Sequence, residues 1–258
     1  MAFELYNADC IEEMDRLISK GLQVDTIITS PPYNKKGFTK VKKTSGSNHT
    51  WGKYSIDYSS YNDDLPEEEY IKWQLLFFEK CFQLLKENGS FFYNHKPIRA
   101  NNKIVFHPYT LIERQKNFLL YQEIIWNRKN SPNVRNDVLL PTTERIYWLV
   151  KGKPVVNKSN LMLNFRSEVW DIAPRVDKTH PATFPYTLAS NCILLTTKEN
   201  DWILDPFMGS GTTGIASKAL NRNFIGIELD KNYYEIAKLR MVLEDDLFNC
   251  STDSGDNV

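Results

Sequence analysis

The sequence predicts an α/β fold, a mostly parallel twisted sheet with helices on both faces. Strand-like and helix-like segments alternate along the 258 residues, as in sheets whose parallel strands are connected by helices. A glycine-rich segment, GSGTTG (209–214), follows an apolar strand and precedes a helix, which is typical of a nucleotide-binding βαβ unit. With 41% hydrophobic residues, the chain suffices for one large domain or for two small ones.

The first part of the chain contains five predicted strands and two helices. FELYN and VDTIIT are short apolar strands, with the helix CIEEMDRLISK between them. The next helix spans residues 66–87; it opens on Pro66 and three glutamates and ends just before Gly89, as helix termini prefer. The strands SFFYN, FLLYQEIIWN and ERIYWLV follow.

The alternation weakens in the middle of the chain and returns at its end. Between residues 127 and 181 prolines and asparagines multiply, which predicts a smaller, irregular insertion. A helix over 185–198 is then followed by the strand DWILDPF, a helix over 211–220, the strand NFIGIEL and a helix over 231–245. The polar residues 247–258 predict a disordered tail.

Composition argues against several classes of protein. Apolar runs such as IYWLV are too short to span a bilayer, and the first residues lack the pattern of a signal peptide. The four cysteines are far apart: Cys10, Cys81, Cys192 and Cys250. We therefore expect no disulfide framework, no metal site and a cytoplasmic location.

Charge is balanced overall but uneven along the chain. A formal net charge of zero argues weakly against a nucleic-acid partner. The segment 34–56, however, contains six lysines and no acid: Lys35, Lys36, Lys40, Lys42, Lys43 and Lys53. This basic loop is either a solvated surface or an electrostatic contact for phosphates. A second basic stretch holds Arg128, Lys129 and Arg135.

A stiff turn, Ser30-Pro31-Pro32-Tyr33, directly follows the strand VDTIIT. Neither proline can donate a ladder hydrogen bond, and the residue before each proline is held extended. The turn therefore offers bare carbonyls, one hydroxyl and one aromatic ring. Taken alone, the motif is also compatible with a rigid turn that has no chemical role.

Two acidic residues accompany the glycine-rich segment. Glu228 lies nineteen residues after Gly209, at the end of the next strand, where an acid suits ribose hydroxyls. Asp205 precedes the glycines, and its carboxylate would repel a pyrophosphate but attract a cation. A Walker loop would need a lysine where this chain has Ile215. By charge, S-adenosylmethionine fits this segment better than NAD does.

Five segments resemble motifs of the amino-methyltransferases that act on DNA bases. TSPPYN (29–34) resembles the catalytic motif and DPFMGSGTT (205–213) the cofactor motif. Their order along the chain is circularly permuted and is similar to that of the β class. YNADC (6–10), KTHPATFP (178–185) and FIGIELD (224–230) resemble further segments that hold the cofactor.

The resemblance implies a Rossmann-like methyltransferase fold with S-adenosylmethionine as cofactor and double-stranded DNA as partner. Residues 1–126 would form the catalytic half, 127–178 a target-recognition insertion and 179–246 the cofactor-binding half. It also implies a restriction endonuclease that acts separately. The short recognition region is compatible with a monomer or a homodimer.

The resemblance implies two groups of site residues, catalytic and cofactor-binding, and the charge pattern implies a third, the DNA contacts. The catalytic residues are Ser30, Pro31, Pro32 and Tyr33. The cofactor residues are Asp9, Cys10, His180, Pro181, Ala182, Asp205, Pro206, Phe207, Gly209, Ser210, Gly211, Thr212 and Glu228. The DNA contacts are the six lysines of the basic loop together with Arg128, Lys129 and Arg135. Structural alternatives stay open: Asp9 as a helix cap, His180 in a turn, and Phe207 packed beneath the glycines.

The expected chemistry explains the Pro-Pro turn. Ser30 Oγ and the Pro31 carbonyl would accept the hydrogens of an exocyclic base amine, while Tyr33 stacks on a base turned out of the duplex. The resemblance links S-P-P-Y mainly with cytosine N4 and D-P-P-Y mainly with adenine N6, so cytosine N4 is favoured and adenine N6 stays open. The remaining alternatives are an NAD-dependent oxidoreductase, an RNA or protein methyltransferase, and a non-catalytic nucleic-acid binder.

Overall fold

The computed structural model describes residues 1–35, 64–100, 103–131, 136, 138–174 and 185–250, with residues 243–250 described by their backbone only. Its strands are β1 (Phe3–Asn7), β2 (Val24–Thr29), β3 (Leu85–His95), β4 (Ile98–Ala100), β5 (Lys103–Phe106), β6 (Leu119–Asn127), β7 (Thr143–Val150), β8 (Val169–Asp171), β9 (Trp202–Asp205) and β10 (Asn223–Glu228). Its α-helices are α1 (Cys10–Ser19), α2 (Glu67–Leu84), α3 (Tyr109–Arg114), α4 (Tyr186–Thr196), α5 (Thr212–Ala219) and α6 (Lys231–Cys250).

Eight of these strands form one mixed sheet in the order β1-β10-β9-β2-β3-β7-β6-β8. The first five strands in this order are parallel to one another. β7 is antiparallel to β3 and to β6, and the edge strand β8 is parallel to β6. The predicted mostly parallel α/β sheet is thus confirmed.

Helices cover both faces of the sheet. Successive strand residues point to opposite faces, and accordingly Ile27 and Phe91 lie in one buried cluster while Ile28 and Phe92 lie in another. The first cluster includes side chains of α1 and α2, and the second those of α4, α5 and α6. Burial on both faces explains why these strands read as nearly continuous apolar runs.

The helix predicted over 66–87 ends earlier in the structure. α2 stops at Leu84, and Leu85 is already extended and pairs with Val24 of β2. Asn88 takes a positive φ of 65° within the strand that follows. Pairing with β2 therefore outweighs the helical pattern of the last turn, and Gly89 does not cap the helix.

Several elements lie where the sequence showed little pattern. β4 and β5 form a separate antiparallel pair, and α3 follows them. The range 127–178 contains β7 and β8, so it contributes strands to the central sheet as well as irregular segments. The boundary expected for a tail at residue 247 falls inside α6, whose backbone hydrogen bonds form despite the polar sequence. Of the helices described, none has both the length and the apolarity that crossing a membrane requires.

The topology brings the predicted motifs to one edge of the sheet. β2 leads through α2 to β3, whereas its neighbour β9 leads through α5 to β10 on the other side. After β2 the chain thus continues towards one side of the sheet, and after β9 towards the other. In such sheets ligands bind at the carboxyl ends of the two strands where this direction changes. The Pro-Pro turn follows β2 there, and the glycine loop follows β9.

Candidate active site

The Ser30–Tyr33 turn is held at both of its ends. The hydroxyls of Ser30 and Tyr33 lie 2.9 Å apart and share a hydrogen bond. At the end of the turn Asn34 adopts a positive φ of 53°, a conformation that asparagine tolerates better than most residues. Its buried amide donates to the Leu65 carbonyl and accepts from the Leu65 N–H, both at 2.8 Å. This pair of hydrogen bonds fastens the turn to the segment that precedes α2.

A buried polar network lies directly beneath the turn. The Tyr70 hydroxyl is 2.9 Å from both the Pro32 carbonyl and His95 Nε2, and it accepts a hydrogen bond from Gln74 Nε2 at 2.9 Å. Gln74 Oε1 in turn accepts from Tyr93 at 3.1 Å. The Pro32 carbonyl is therefore tied into the core, whereas no donor among the described residues reaches the carbonyl of Pro31.

His95 belongs to this network as a neutral ring. Burial lowers the pKa of His95 to about 3, so the ring carries no charge near neutral pH. Its Nδ1 lies 2.9 Å from the Lys96 carbonyl, which can only accept, so the proton sits on Nδ1 and Nε2 faces Tyr70. The Tyr33 ring packs against the imidazole, with centroids 4.3 Å apart.

A second polar cluster lies beside the two hydroxyls. Asn94 Nδ2 is 3.4 Å from Ser30 Oγ, 3.4 Å from the Tyr33 hydroxyl and 3.5 Å from Glu144 Oε2. Glu144 also binds Arg128 at 2.6 Å and Lys96 at 3.4 Å. Burial works to raise the pKa of Glu144, but attraction to the two cations outweighs burial and lowers this pKa. The carboxylate therefore stays ionised and faces the N–H end of the Asn94 amide.

The glycine loop after β9 needs its glycines for two different reasons. Gly209 and Gly211 both have a positive φ, 53° and 83°, which side chains rarely adopt. A Cβ on Gly211 would also lie 2.9 Å from the Cβ of Ala237 on α6. Arg240 of the same helix donates to the Ser210 carbonyl and hydroxyl, at 2.6 and 2.9 Å. Helix α6 thus packs tightly against the glycine loop and fixes its backbone.

Asp205 joins the loop to the Pro-Pro turn. One carboxylate oxygen accepts from the Thr29 hydroxyl at 2.8 Å and from the Phe207 N–H at 3.1 Å, and the other accepts from Thr213 at 2.7 Å. The side chain is buried together with Pro206. The sequence predicts that this carboxylate attracts a cationic cofactor; in the structure its hydrogen bonds all go to the protein's own groups.

The acidic residue at the end of β10 binds the backbone of the same glycine loop. Glu228 accepts the Gly209 N–H and the Asp230 N–H, each at 2.8 Å and each on a different oxygen. Burial raises the pKa of this carboxyl. Nearby, Asp9 caps α1 by accepting from the N–H groups of Ile11 and Glu12, so the capping role expected for Asp9 is present. The adjacent Cys10 is buried, which raises the pKa of its thiol.

The loop retains polar groups that a ligand can use. Thr212 Oγ1 is buried and has no hydrogen-bond partner among the described residues, and a buried hydroxyl without a partner is costly. Each Glu228 oxygen holds one N–H and keeps further acceptor capacity. A partnerless hydroxyl and a carboxylate with spare acceptor sites fit the hydroxyl and amino groups of S-adenosylmethionine.

Several predicted site residues have other contacts, or lie outside the described residues. Phe207 packs on Trp73 and Phe77, with centroids 5.9 and 5.2 Å apart. Arg128 binds Glu144, and Lys129 lies 3.4 Å from Asp171; Lys35 is exposed. His180, Pro181, Ala182, Lys36, Lys40, Lys42, Lys43, Lys53 and Arg135 are outside the described residues.

The structure also brings to the site residues that the sequence analysis did not select. These are Asn34, Tyr70, Asn94, His95 and Glu144. Asn94 and His95 had a recognisable signal, because they end the apolar run that follows the Pro-Pro strand, and consecutive strands are often neighbours. Tyr70 and Glu144 lie within amphipathic or apolar segments and had none.

Comparison with known proteins identifies the family. A family model described as DNA methylase matches residues 24–239. The type II methyltransferase M2.MboI of Moraxella bovis is 30% identical over 92% of this chain and 87% of the relative. The type II methyltransferase M.HinfI of Haemophilus influenzae is 28% identical over 92% of this chain and 67% of the relative.

Solved structures agree with this result. The M1.HpyAVI–SAM complex superposes with a TM-score of 0.62 at 29% identity, covering 92% of this chain and 99% of that one. The cytosine-N4-specific PvuII DNA methyltransferase has a TM-score of 0.73 at 19% identity over 93% and 86%, a likeness of fold. With its family match and its permuted motif order, the chain belongs to the DNA methylase family, as an S-adenosylmethionine-dependent amino-methyltransferase of DNA.

Proposed function

We propose that the protein methylates the N4 amine of cytosine in duplex DNA at a short, specific site. The observation that carries this choice of base is Ser30 at the first position of the Pro-Pro turn. Its neutral hydroxyl lies 2.9 Å from the Tyr33 hydroxyl, and sequences with serine at this position resemble mainly the cytosine N4 enzymes. Adenine N6 is the competing product.

The roles of the turn follow from the chemistry of the amine. The lone pair of an exocyclic amine is conjugated into the base and is a poor nucleophile. Ser30 Oγ and the Pro31 carbonyl accept its two hydrogens and draw the nitrogen towards tetrahedral geometry. These acceptors also stabilise the positive charge that develops on the amine. The proton can leave after transfer, so the turn needs no strong base.

The polar network beneath the turn supports the roles given to Ser30 and the Pro31 carbonyl. Because Tyr70 holds the Pro32 carbonyl at 2.9 Å, the Pro31 carbonyl is the one directed to the substrate. The Tyr33 ring, supported by His95, supplies a surface on which the extruded base stacks. Positioning of the amine is then the main contribution of the protein.

The cofactor is assigned to the glycine loop and its neighbours. When bound, S-adenosylmethionine supplies an activated methyl group. Glu228 accepts hydrogen bonds from the ribose, Thr212 and the loop backbone bind polar groups, and Asp9 with Cys10 lies at the adenine end. Phe207 and Ser210 shape the loop, and the segment with His180, Pro181 and Ala182 contributes at the methionine end.

DNA binding is assigned to two basic segments and to the middle of the chain. Lysines of the basic loop, with Lys129 and Arg135, contact the phosphates, while residues 127–178 read the bases. Arg128 acts indirectly, through its pairing with Glu144. Since relatives such as M2.MboI are named type II methyltransferases, we infer a restriction–modification role, with a cognate endonuclease acting separately.

One experiment tests both the enzyme class and the base. The protein is incubated with S-adenosylmethionine and unmethylated bacterial DNA, the DNA is digested to nucleosides, and the products are identified by mass spectrometry. N4-methylcytosine is expected, and its loss in Ser30→Ala, with cofactor binding intact, would support the role of the hydroxyl. N6-methyladenine would overturn the choice of base, and no methylated nucleoside would overturn DNA as the substrate.

A further inference from the structure

We propose that Lys96 binds a backbone phosphate of the nucleotide whose base enters the active site, and that Glu144 positions Lys96 for this contact. The inference rests on the proposed transfer to a base turned out of duplex DNA. Lys96 is not among the basic residues that the sequence analysis selected. What singles it out is its place in the structure.

Lys96 lies at the rim of the catalytic turn. It directly follows the last residue of β3, and Asn94, two residues earlier, reaches both Ser30 and Tyr33. The Lys96 ammonium is 5.9 Å from the centroid of the Tyr33 ring. Its side chain is 31% exposed. The charge is thus close to the ring on which the base stacks, and it remains accessible from outside.

Glu144 positions Lys96 without neutralising the charge of its ammonium. The buried carboxylate binds Arg128 at 2.6 Å and Lys96 at 3.4 Å. Arg128 is the closer and less exposed partner, with 17% of its side chain exposed. Within the described part of the chain, one anion therefore faces two cations, which gives this group of three a net charge of +1, and the Lys96 ammonium is the more distant and more exposed cation.

A surplus cation at this position opposes the reaction unless an anion accompanies the substrate. When bound, the cofactor would bring a sulfonium to the site, and the amine would develop positive charge as it takes the methyl group; like charges repel. The flipped nucleotide carries its own phosphates to the rim of the pocket. A phosphate bound to Lys96 offsets the surplus charge when the base enters.

The alternative role for Lys96 is purely structural, as a second partner for a buried carboxylate. The two roles predict different measurements. A structural partner contributes to the free energy of unfolding but not to the number of ions released on DNA binding. A phosphate ligand changes the salt dependence of DNA affinity, because each contact releases condensed counterions.

The first test measures DNA affinity against salt concentration for the full-length protein. The probe is a duplex containing the target site, mapped beforehand by sequencing intact DNA that the protein has methylated. In Lys96→Ala the slope of log K against log salt should fall by about 0.9, while Lys96→Arg should keep it. Lys20→Ala removes the same charge from an exposed position after α1 and should leave the slope unchanged.

The second test removes the phosphate instead of the lysine. Duplexes in which one phosphate beside the target nucleotide is a neutral methylphosphonate are compared for wild type and Lys96→Ala. At one position the substitution should weaken wild-type binding several-fold and leave the variant unaffected. If Lys96→Ala is less stable but keeps the wild-type slope, and every methylphosphonate acts equally on both proteins, the inference is overturned although methylation of DNA stands. Absence of any methylated product in wild type would instead overturn the proposed function itself.

Discussion

The Thr29 hydroxyl donates a 2.8 Å hydrogen bond to Asp205 Oδ1 across 176 residues of sequence. Thr29 is the last residue of β2, before the Pro-Pro turn, and Asp205 is the last residue of β9, before the glycine loop. Thr213 holds the second carboxylate oxygen at 2.7 Å. One buried carboxylate thus links the catalytic motif to the cofactor motif, so its ionisation affects both.

Asp205→Asn should change the pH dependence of stability. Burial raises the pKa of Asp205 from 3.8 to about 6, although hydrogen bonds from Thr213, Thr29 and the Phe207 N–H oppose this rise. The raised pKa contributes stability that is complete below 3.8 and is lost as pH rises through about 6. Asparagine does not ionise, so between pH 4 and 7 the variant should gain about 3 kcal/mol relative to wild type, at about 1.4 kcal/mol per pKa unit. Urea denaturation at a series of pH values measures this difference.

A stability difference between Asp205→Asn and wild type that does not vary with pH would contradict the prediction. The same variant tests the expectation that the Asp205 charge attracts the cofactor. If it does, S-adenosylmethionine should bind the asparagine variant more weakly above pH 6.

Tyr70→Phe should impair catalysis more than cofactor binding. The change removes one buried hydroxyl, which leaves the Pro32 carbonyl without its donor and His95 Nε2 without its polar neighbour. Buried groups left unpaired cost about 1–3 kcal/mol, and the turn that carries Ser30 loses its support. We expect a lower free energy of unfolding, a lower kcat and an unchanged Kd for S-adenosylmethionine, measured by denaturation, steady-state kinetics and calorimetry.

Tyr93→Phe is the matched control for this variant. It removes a hydroxyl that binds Gln74 at 3.1 Å, one step further from the turn. Its effect on stability should be similar, and its effect on kcat small. Equal losses of kcat in the two variants would show that the network acts only through general stability.

Asn34→Ala and Asn34→Gly should separate backbone strain from hydrogen bonding. Both variants lose the two hydrogen bonds to Leu65. Only the alanine variant is also destabilised by the φ of 53°, by about 1–2 kcal/mol. Glycine should therefore be the more stable of the two by roughly that amount. Both should raise the KM for DNA, because Asn34 no longer ties the end of the Pro-Pro turn to Leu65.

Asn88 offers a control of the same type near the amino end of β3, away from the carboxyl ends of the strands where the Pro-Pro turn lies. It has a positive φ of 65°, and its side chain accepts the Lys153 N–H at 2.9 Å. Asn88→Ala should lower stability without changing the KM for DNA. A raised KM in Asn88→Ala, or an unchanged one in both Asn34 variants, would contradict the role given to the Asn34–Leu65 bonds.

The sequence by itself determined the fold class and the order of the motifs. Apolar periodicity, prolines and glycines are local signals, and they located β1, β2, α5, β9 and β10 to within a few residues. Parallel strands place their carboxyl ends together, and the observed strand order β10-β9-β2 then puts Glu228, the glycine loop and the Pro-Pro turn side by side. The family resemblance rests on the same local segments.

Only the tertiary structure decided which partner each polar side chain takes. It directs the Asp205 carboxylate to Thr29 and Thr213 and pairs Arg128 with Glu144. It likewise puts Tyr70 beneath the Pro-Pro turn, and it ends α2 at Leu84 in favour of pairing with β2. These contacts join residues that are distant along the chain. Their existence depends on distances and burial across the sheet, and no spacing within the sequence encodes them.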